Sequence, residues 1–284
     1  MPSQEHARSE FIVPHLPPGI SAALAVIRQS FAATVSHALI LGTGWGHLAD
    51  QISEPISIAY REIPGFPQSS ALAHKGELVC GRLHGRTVAV LRGRSHLYEG
   101  YSFEQLMFPT RVLAELGARR LIVSNAAGGM NQQFRSGDIM LIADHLNFMF
   151  RSPGGNAGHE AVRFAQPRAV YDAAWGQRAQ AFARALDIPL RGGIYVGVTG
   201  PNYETRAEYR LFRQLGGDAV GMSTLPEVLA AAECGLAVLG FSAITNVAKP
   251  DAPEAVNAQE VVDMAEHAAP KLARLLPAIL GDDP

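Results

Sequence analysis

Apolar runs of strand length alternate along this chain with longer amphipathic stretches, and this alternation constrains its fold more than any other feature. Interleaved strands and helices are typical of an α/β domain whose central strands are buried on both faces. The predicted strands are residues 37–41, 78–83, 87–91, 120–124, 139–143, 193–198, 219–222 and 236–245. The predicted helices are residues 19–33, 103–116, 169–186, 206–215, 225–234 and 258–276.

The connections between these elements predict a mixed sheet in one domain. The two strand-like runs on either side of His84-Gly85 are separated by a short turn, and this pattern predicts an antiparallel hairpin. No linker divides the chain, so we expect a single α/β domain over residues 1–284, with a central mixed β-sheet flanked by helices and an extended segment at 1–18. Residues 151–167 are rich in glycine and proline, and loops of this length are usually functional or disordered.

Composition excludes several classes of protein. A formal net charge of -2 with no basic stripe argues against nucleic-acid binding. The two cysteines, Cys80 and Cys234, are far apart and give neither a disulfide framework nor metal-site spacing. Residues 1–10 lack the apolar core of a signal peptide, and the most apolar stretch, 228–244, carries Glu233 and two glycines. We therefore expect a cytoplasmic protein with no membrane or nucleic-acid partner.

The segment LRGRSHLYEGY, residues 91–101, places unusual chemistry at the end of a predicted strand. In an extended chain Arg94, His96 and Tyr98 project from the same side, because side chains alternate between faces. Ligands of α/β sheets gather outside the carboxyl ends of strands. The row of cation, imidazole and phenol therefore indicates a binding site, and the alternative is a solvated strand terminus.

Two glycine-rich motifs follow other predicted strands. In LGTGWG, residues 41–46, glycines allow close approach of an anion and Thr43 adds a hydroxyl. His47 stands where a dinucleotide fingerprint needs its third glycine, so a phosphate-sized ligand fits better, with a plain tight turn as the alternative. In SNAAGGM, residues 124–130, small side chains leave room for a flat ligand, or the segment is simply a glycine-rich loop.

The remaining motifs lie where helices begin and where the last strand ends. Thr205 with Glu208, and Thr224 with Glu227, have the spacing of capping boxes. Glu204 precedes the first of these helices, where a carboxylate is either structural or the acceptor for a planar ligand. Ser223 precedes the second, where free N–H groups favour an anion. The last strand ends in Thr245-Asn246, an amide that needs a partner if buried.

Six motifs in order, LGTGWG, GRSHLYEGY, NAAGG, GPNYETRAE, VGMSTLPEV and ITN, together resemble the trimeric purine nucleoside phosphorylases, and the likeness runs from about residue 39 to 261. The resemblance implies the nucleoside phosphorylase fold and reversible phosphorolysis of a purine nucleoside to base and ribose 1-phosphate. It also implies a homotrimer whose partners are small-molecule substrates. No metal or organic cofactor is implied, since inorganic phosphate is a co-substrate.

The same resemblance assigns roles to individual residues. Catalytic roles fall to Asn246, Glu204 and His96. The implied phosphate ligands are Thr43, His74, Arg94, His96, Ser223 and the backbone N–H of Ala126. The implied base contacts are Glu204, Asn246, Tyr203, Ala127, Gly128 and Met222. The implied ribose contacts are Tyr98, Met222 and Phe164, of which Phe164 crosses into the neighbouring subunit's site, while Glu99 braces the local loop.

Base selectivity follows from polarity. A glutamate carboxylate accepts the N1–H of hypoxanthine or guanine, whereas adenine would leave a buried acceptor unpaired at a cost of about 1–3 kcal/mol. We therefore expect inosine, guanosine and their deoxy forms to be preferred to adenosine.

The sequence departs from the family pattern at three positions, and three other functions remain as alternatives. Thr43 replaces a serine, Tyr203 replaces a phenylalanine, and Ala258 stands where many relatives carry a histidine against the ribose 5′-hydroxyl, so selectivity there is expected to be looser. The nearest rival is methylthioadenosine phosphorylase, which usually has aspartate at the position of Asn246. A nucleoside hydrolase, which commonly needs an aspartate cluster for calcium, and a purine-binding protein without activity are more remote.

Overall fold

The computed structural model describes residues 19–70, 74–153, 169–248 and 257–282. Its helices are α1 Ile20–Ser30, α2 Phe103–Glu115, α3 Ala173–Ala185, α4 Arg206–Gln214, α5 Leu225–Glu233 and α6 Ala258–Gly281. Its strands are β1 His37–Leu41, β2 Ser53–Ala59, β3 Glu77–Leu83, β4 Arg86–Arg92, β5 Arg120–Gly129, β6 Ile139–Asn147, β7 Leu190–Gly197, β8 Ala219–Gly221 and β9 Ala237–Val247. The predicted segment 1–18, Phe164 and most of the predicted loop 151–167 lie outside the described residues.

The strands form one mixed sheet, as the sequence predicts. Its order is β2-β3-β4-β1-β5-β8-β7-β6-β9, and β9 also pairs with β5. Strands β5, β8, β7, β6 and β9 therefore close into a ring, from which β1, β4, β3 and β2 extend as an open wing. The β1, β4 and β5 strands run parallel, whereas β3 and β4 form the predicted antiparallel hairpin. At its turn His84 and Gly85 both have positive φ, 47° and 82°, as a two-residue hairpin loop requires.

Helices cover the sheet on both sides, and each side has its own apolar core. One core lies under α1, α2 and α5 and includes Ile27, Met107 and Val228. The other lies under α3 and α6 and includes Trp175 and Leu272. These two layers confirm the expectation of helices flanking a central mixed sheet. No helix in the described ranges has the length and apolarity needed to cross a lipid bilayer.

Two parts of the strand prediction were wrong. Strand β2 was not predicted, because it lies at the sheet edge with mostly exposed side chains and contains Pro55, so the apolar run that marks a buried strand is missing. The segment 124–130, described as a motif after a strand end, is instead the continuation of β5 as far as Gly129. Its small residues remain extended because they pair with β9, from Ser124 opposite Phe241 to Gly129 opposite Val247.

The loop after β1 is packed directly against α6. A Cβ on Gly44 would lie 2.5 Å from the Cβ of Ala265, and Gly44 has a φ of +82°. At Gly46, two residues later, a Cβ would meet nothing within 4 Å. Gly44 is therefore required by the approach of the helix, a reason distinct from the anion contact that the motif suggested.

This contact predicts unequal effects of two similar substitutions. Gly44→Ala is expected to destabilise the fold by about 1–3 kcal/mol, because the added methyl group overlaps Ala265 and the residue must keep a left-handed conformation. Gly46→Ala is the matched control and should change the free energy of unfolding by less than about 0.5 kcal/mol. Urea denaturation followed by circular dichroism measures both, and equal destabilisation would contradict this explanation.

Candidate active site

The polar strand ends meet in one cavity of about 170 Å³. It lies where β1, β4, β5, β8 and β9 end, together with the segment before α4 and the first turns of α6. Every predicted site residue in the described part of the chain lines this cavity: Thr43, His74, Arg94, His96, Tyr98, Ala126, Ala127, Gly128, Tyr203, Glu204, Met222, Ser223 and Asn246. Ala258, at the start of α6, is exposed, whereas Val261, one turn later, contributes to the lining.

Arg94 is buried beside β1 and β5, immediately after the end of β4. Its Nη1 donates to the carbonyl oxygen of Ser124 at 2.7 Å, and its Nε lies 2.7 Å from Oε1 of Glu227. A Cβ on Gly42 would come within 2.7 Å of Nη1. The first glycine of LGTGWG therefore provides the space that the guanidinium occupies.

Three aromatic rings form a stacked column next to this arginine. The ring centroids of His74 and His96 are 5.6 Å apart, and those of His96 and Tyr98 are 4.9 Å apart, with interplanar angles of 12° and 11°. The sequence predicted that Arg94, His96 and Tyr98 face one side, and all three line the cavity. The alternation itself ends early, because residues Leu97–Glu99 form a turn of 3-10 helix.

His74 is held as a neutral imidazole. Its Nδ1 lies 2.7 Å from the carbonyl oxygen of Arg94, and its Nε2 lies 3.5 Å from the Thr43 hydroxyl. Burial, reinforced by the nearby His96 and Arg94, lowers the pKa of His74 to about 4. At neutral pH this side chain therefore orients other groups and brings no positive charge to the cavity.

His96 is oriented by Glu99. The His96 Nδ1 lies 2.9 Å from Oε1 of Glu99, and the same carboxylate accepts hydrogen bonds from the N–H and hydroxyl of Ser70 at 2.6 and 2.8 Å. Burial acts to raise the pKa of Glu99, but the hydrogen bonds from His96 and Ser70 outweigh it and hold that pKa at about 2. With Nδ1 engaged, Nε2 of His96 is the ring nitrogen left for a ligand. Glu99 also links two loops, as its predicted bracing role requires.

Glu204 lies just before α4 but takes no part in capping it. The predicted capping box forms between Thr205 and Glu208, with the Glu208 N–H donating to the Thr205 hydroxyl at 3.3 Å. Oε1 of Glu204 is buried and has no hydrogen-bond partner among the described residues. Burial raises the pKa of Glu204, and a hydrogen bond from the Tyr209 hydroxyl opposes that rise. An unpaired buried acceptor is costly, so this oxygen is a candidate acceptor for a donor on a ligand.

Asn246 lies on β9 opposite Gly128 of β5, at a shift in the pairing of the two strands. The Thr245 hydroxyl is 3.1 Å from its Oδ1, in a geometry that lets the hydroxyl donate. A Cβ on Gly128 would lie 3.6 Å from Oδ1 and 3.8 Å from Nδ2. The glycine thus leaves one face of the amide uncovered, and small residues on β5 give a flat molecule room beside it.

The capping box predicted between Thr224 and Glu227 does not form, so that prediction was wrong. Thr224 has a φ of 74° and its side chain does not cap α5; its hydroxyl accepts a hydrogen bond from Nδ2 of Asn125 at 2.8 Å. Glu227 turns inward to Arg94 instead. The spacing of Thr224 and Glu227 fits both arrangements, and only the positions of β4 and β5 distinguish them.

Two polar residues that line the cavity, Tyr209 and Asn125, were missed, as were the apolar or small residues Val220, Gly221 and Val261. Tyr209 lines the cavity and bonds Glu204, and it lies four residues after Thr205, so the helical repeat brings it back towards the start of α4. Asn125 lines the cavity beside Thr224. Its position on an extended β5 could have been anticipated only if the strand had been predicted to continue past Ser124.

Comparison with known proteins identifies the family. The family model described as the phosphorylase superfamily matches residues 36–281. The chain is 44% identical over 263 residues to purine nucleoside phosphorylase 1 of Bacillus subtilis, covering 92% of this chain and 97% of that protein. It is 43% identical over 256 residues to the purine nucleoside phosphorylase of Bos taurus, covering 87% and 89% respectively.

A solved structure agrees with these sequence matches. The crystal structure of a schistosoma purine nucleoside phosphorylase in complex with hypoxanthine superimposes with a TM-score of 0.86 at 34% identity, covering 93% of this chain and 97% of that one. The fold, the order of the motifs and the relatives thus agree with the resemblance seen in the sequence, and the chain belongs to the phosphorylase superfamily as a member of the purine nucleoside phosphorylase family.

Proposed function

We propose that this protein catalyses the reversible phosphorolysis of 6-oxopurine nucleosides, namely inosine, guanosine and their deoxy forms, to the free base and ribose 1-phosphate. The observation that carries the proposal is the buried, unpartnered Oε1 of Glu204, which lines one cavity with Asn246, Arg94 and His96. An acceptor and an amide suit the edge of a purine, whereas a guanidinium and an imidazole suit an oxyanion.

The reaction separates positive and negative charge, and the cavity contains groups that can stabilise each of them. Cleavage of the glycosidic bond leaves positive charge on the sugar and negative charge on the purine. Phosphate held by Arg94, His96, Thr43 and Ser223 stabilises the sugar cation and captures it at the anomeric carbon. An N–H of the Asn246 amide stabilises the departing base, and fixed donors aimed at developing charge are often the largest catalytic contribution. The reaction needs no organic cofactor, because phosphate is the second substrate.

The preference for 6-oxopurines rests on Glu204. Its free oxygen accepts N1–H from hypoxanthine or guanine, while adenine presents a lone pair at N1 and leaves the carboxylate oxygen unpaired. The similar schistosoma enzyme was solved with hypoxanthine, which is a 6-oxopurine. Asn246 rather than aspartate at the end of β9 supports the same preference.

We also propose that the protein acts in the cytoplasm as a homotrimer, as the resemblance to its family implies. Two exposed aromatic side chains support an interface beside the site: Tyr98 is 39% and Phe150 is 76% exposed. Both line a second, wider cleft that also includes Phe103 and Pro201. Apolar surface exposed around a cleft is typical of a protein–protein contact.

The first test of the function is the dependence of cleavage on phosphate. With phosphate, inosine and guanosine are expected to be cleaved to base and ribose 1-phosphate, and adenosine about 5- to 150-fold more slowly. Without phosphate, cleavage should cease. Unchanged cleavage would indicate hydrolysis, faster turnover of methylthioadenosine would indicate the rival phosphorylase, and base binding without ribose 1-phosphate would indicate a non-catalytic protein.

The second test uses the protonation of Glu204. The ionised carboxylate accepts N1–H, so affinity for hypoxanthine is expected to be full above the pKa of Glu204 and to fall below it. Because burial raises that pKa, the loss should occur at higher pH than for an ordinary glutamate. Calorimetry across this range should show a loss of about tenfold or more. Glu204→Gln should bind more weakly and show no such step, so an identical step in this variant would exclude Glu204 as its source.

The third test concerns assembly. Light scattering is expected to give about three times the chain mass of 30.4 kDa. Phe150→Asp should weaken the assembly, because it places a charge in the proposed contact. The matched control is Leu211→Asp, since Leu211 is 45% exposed on α4 and does not line the wide cleft. A monomeric wild-type protein with full activity would contradict this part of the proposal.

A further inference from the structure

The pair of Arg94 and Glu227 is buried more deeply than a surface ion pair. Its side chains are 5% and 8% exposed, and Nε of Arg94 lies 2.7 Å from Oε1 of Glu227. A second pair involving the same helix, Arg111 with Glu233, has a comparable distance of 2.8 Å, but its side chains are 13% and 41% exposed. The α5 helix thus carries one buried glutamate that pairs with an arginine of the site and one partly exposed glutamate that pairs with Arg111.

Burial of this pair is poorly explained by stability alone. Removing two charges from water costs about as much as their attraction returns, so buried ion pairs contribute little net stability. Nor does Glu227 cap its helix, as its spacing had suggested. The Oε2 atom of Glu227 is also buried without a hydrogen-bond partner among the described residues. A buried carboxylate with one oxygen engaged and one unsatisfied is better explained by its effect on the arginine.

The contacts around Arg94 show what that effect is. Oε1 of Glu227 lies 2.7 Å from Nε as an ion-pair contact without hydrogen-bond geometry, and the Ser124 carbonyl accepts from Nη1 at 2.7 Å. The Ser223 hydroxyl and the Ile40 carbonyl are more distant, at 3.4 Å from Nη1 and Nη2 respectively. A guanidinium has five N–H donors in a fixed plane. The two short contacts fix that plane, and the two long ones are readily exchanged. Nη2 and the second N–H of Nη1, which make only the long contacts, are therefore the part of Arg94 that remains for an anion.

We propose that Glu227 is a positioning residue for the phosphate co-substrate, which fixes the plane of the Arg94 guanidinium so that its terminal nitrogens meet the anion. This inference rests on the proposed function, since it concerns the same phosphate. Glu227 does not contact phosphate itself. It acts by removing the rotational freedom that an arginine side chain would otherwise lose on binding.

A purely electrostatic effect and a positioning role predict changes of opposite sign in the KM for phosphate when the Glu227 carboxylate is removed. A negative charge behind Arg94 repels phosphate, so its loss should by charge alone lower the KM for phosphate. If Glu227 instead positions Arg94, its loss should raise that KM. The sign of the change therefore distinguishes a positioning role from a simple effect of charge.

The experiment compares Glu227→Met, which keeps the length of the side chain without an acceptor, with the wild type. The KM for phosphate is expected to rise about tenfold or more, because the ion pair that holds the guanidinium in place is lost, while the KM for inosine should change less than about twofold. Glu227→Gln retains an oxygen and should give a smaller rise. Glu233→Gln, on the same helix, should change neither constant.

Two outcomes would overturn the proposal: a phosphate KM that falls or does not change in the Glu227→Met protein, or equal rises in both KM values. If Glu227→Met does not fold, Glu227→Gln provides the test, as its phosphate KM must rise and the thermal stabilisation by phosphate must weaken. Failure of the proposed function is recognised separately, because the wild-type protein would then cleave inosine without phosphate.

Discussion

The parallel pairing of β5 with β9 determines how the rest of the molecule is arranged. It runs from Arg120 opposite Ala237 to Gly129 opposite Val247, and it closes five strands into a ring. Since β1 lies on the other side of β5 and β4 lies next to β1, the carboxyl ends of four parallel strands come to one edge. The residues at these strand ends therefore lie close together without long connecting loops: Thr43, Arg94, Ala126 and Asn246.

The groups in the cavity that could meet an oxyanion already have partners within the protein before a ligand arrives. Glu227 accompanies Arg94, Glu99 accompanies His96, and burial keeps His74 neutral. The site therefore does not attract an oxyanion through a large net charge, in agreement with a chain whose formal charge is -2. In the function that we propose, recognition of phosphate depends on hydrogen-bond donors held in fixed directions, because such an arrangement favours an anion of the right shape over anions in general.

Much of this architecture could be predicted from the sequence, because buried strands and amphipathic helices have distinct apolar patterns. The motifs could be grouped because they were expected after strands or before helices, whereas the roles of individual residues came from the resemblance to the family. Strand β2 could not be predicted, because it lies exposed at the sheet edge and has no apolar run. Glu227 was misassigned for a different reason: a capping box and an inward ion pair need the same spacing, and the tertiary position of Arg94 decides between them. To predict Tyr209 as a residue of the site, one would have needed to know how α4 is oriented over the cavity.

The contact between Gly44 and Ala265 ties two distant parts of the sequence together. Val261 forms part of the cavity wall one turn before Ala265, and Thr43 stands next to Gly44. At the other end of α6, the Arg86 side chain donates to the carbonyl oxygen of Leu280 at 2.9 Å, and Arg178 pairs with Asp282 at 2.6 Å. The last helix is thus held by contacts near both ends, so we expect the cavity wall at Val261 and the loop that carries Thr43 to be mechanically coupled, and a shift of α6 that widened the cavity would have to break these contacts.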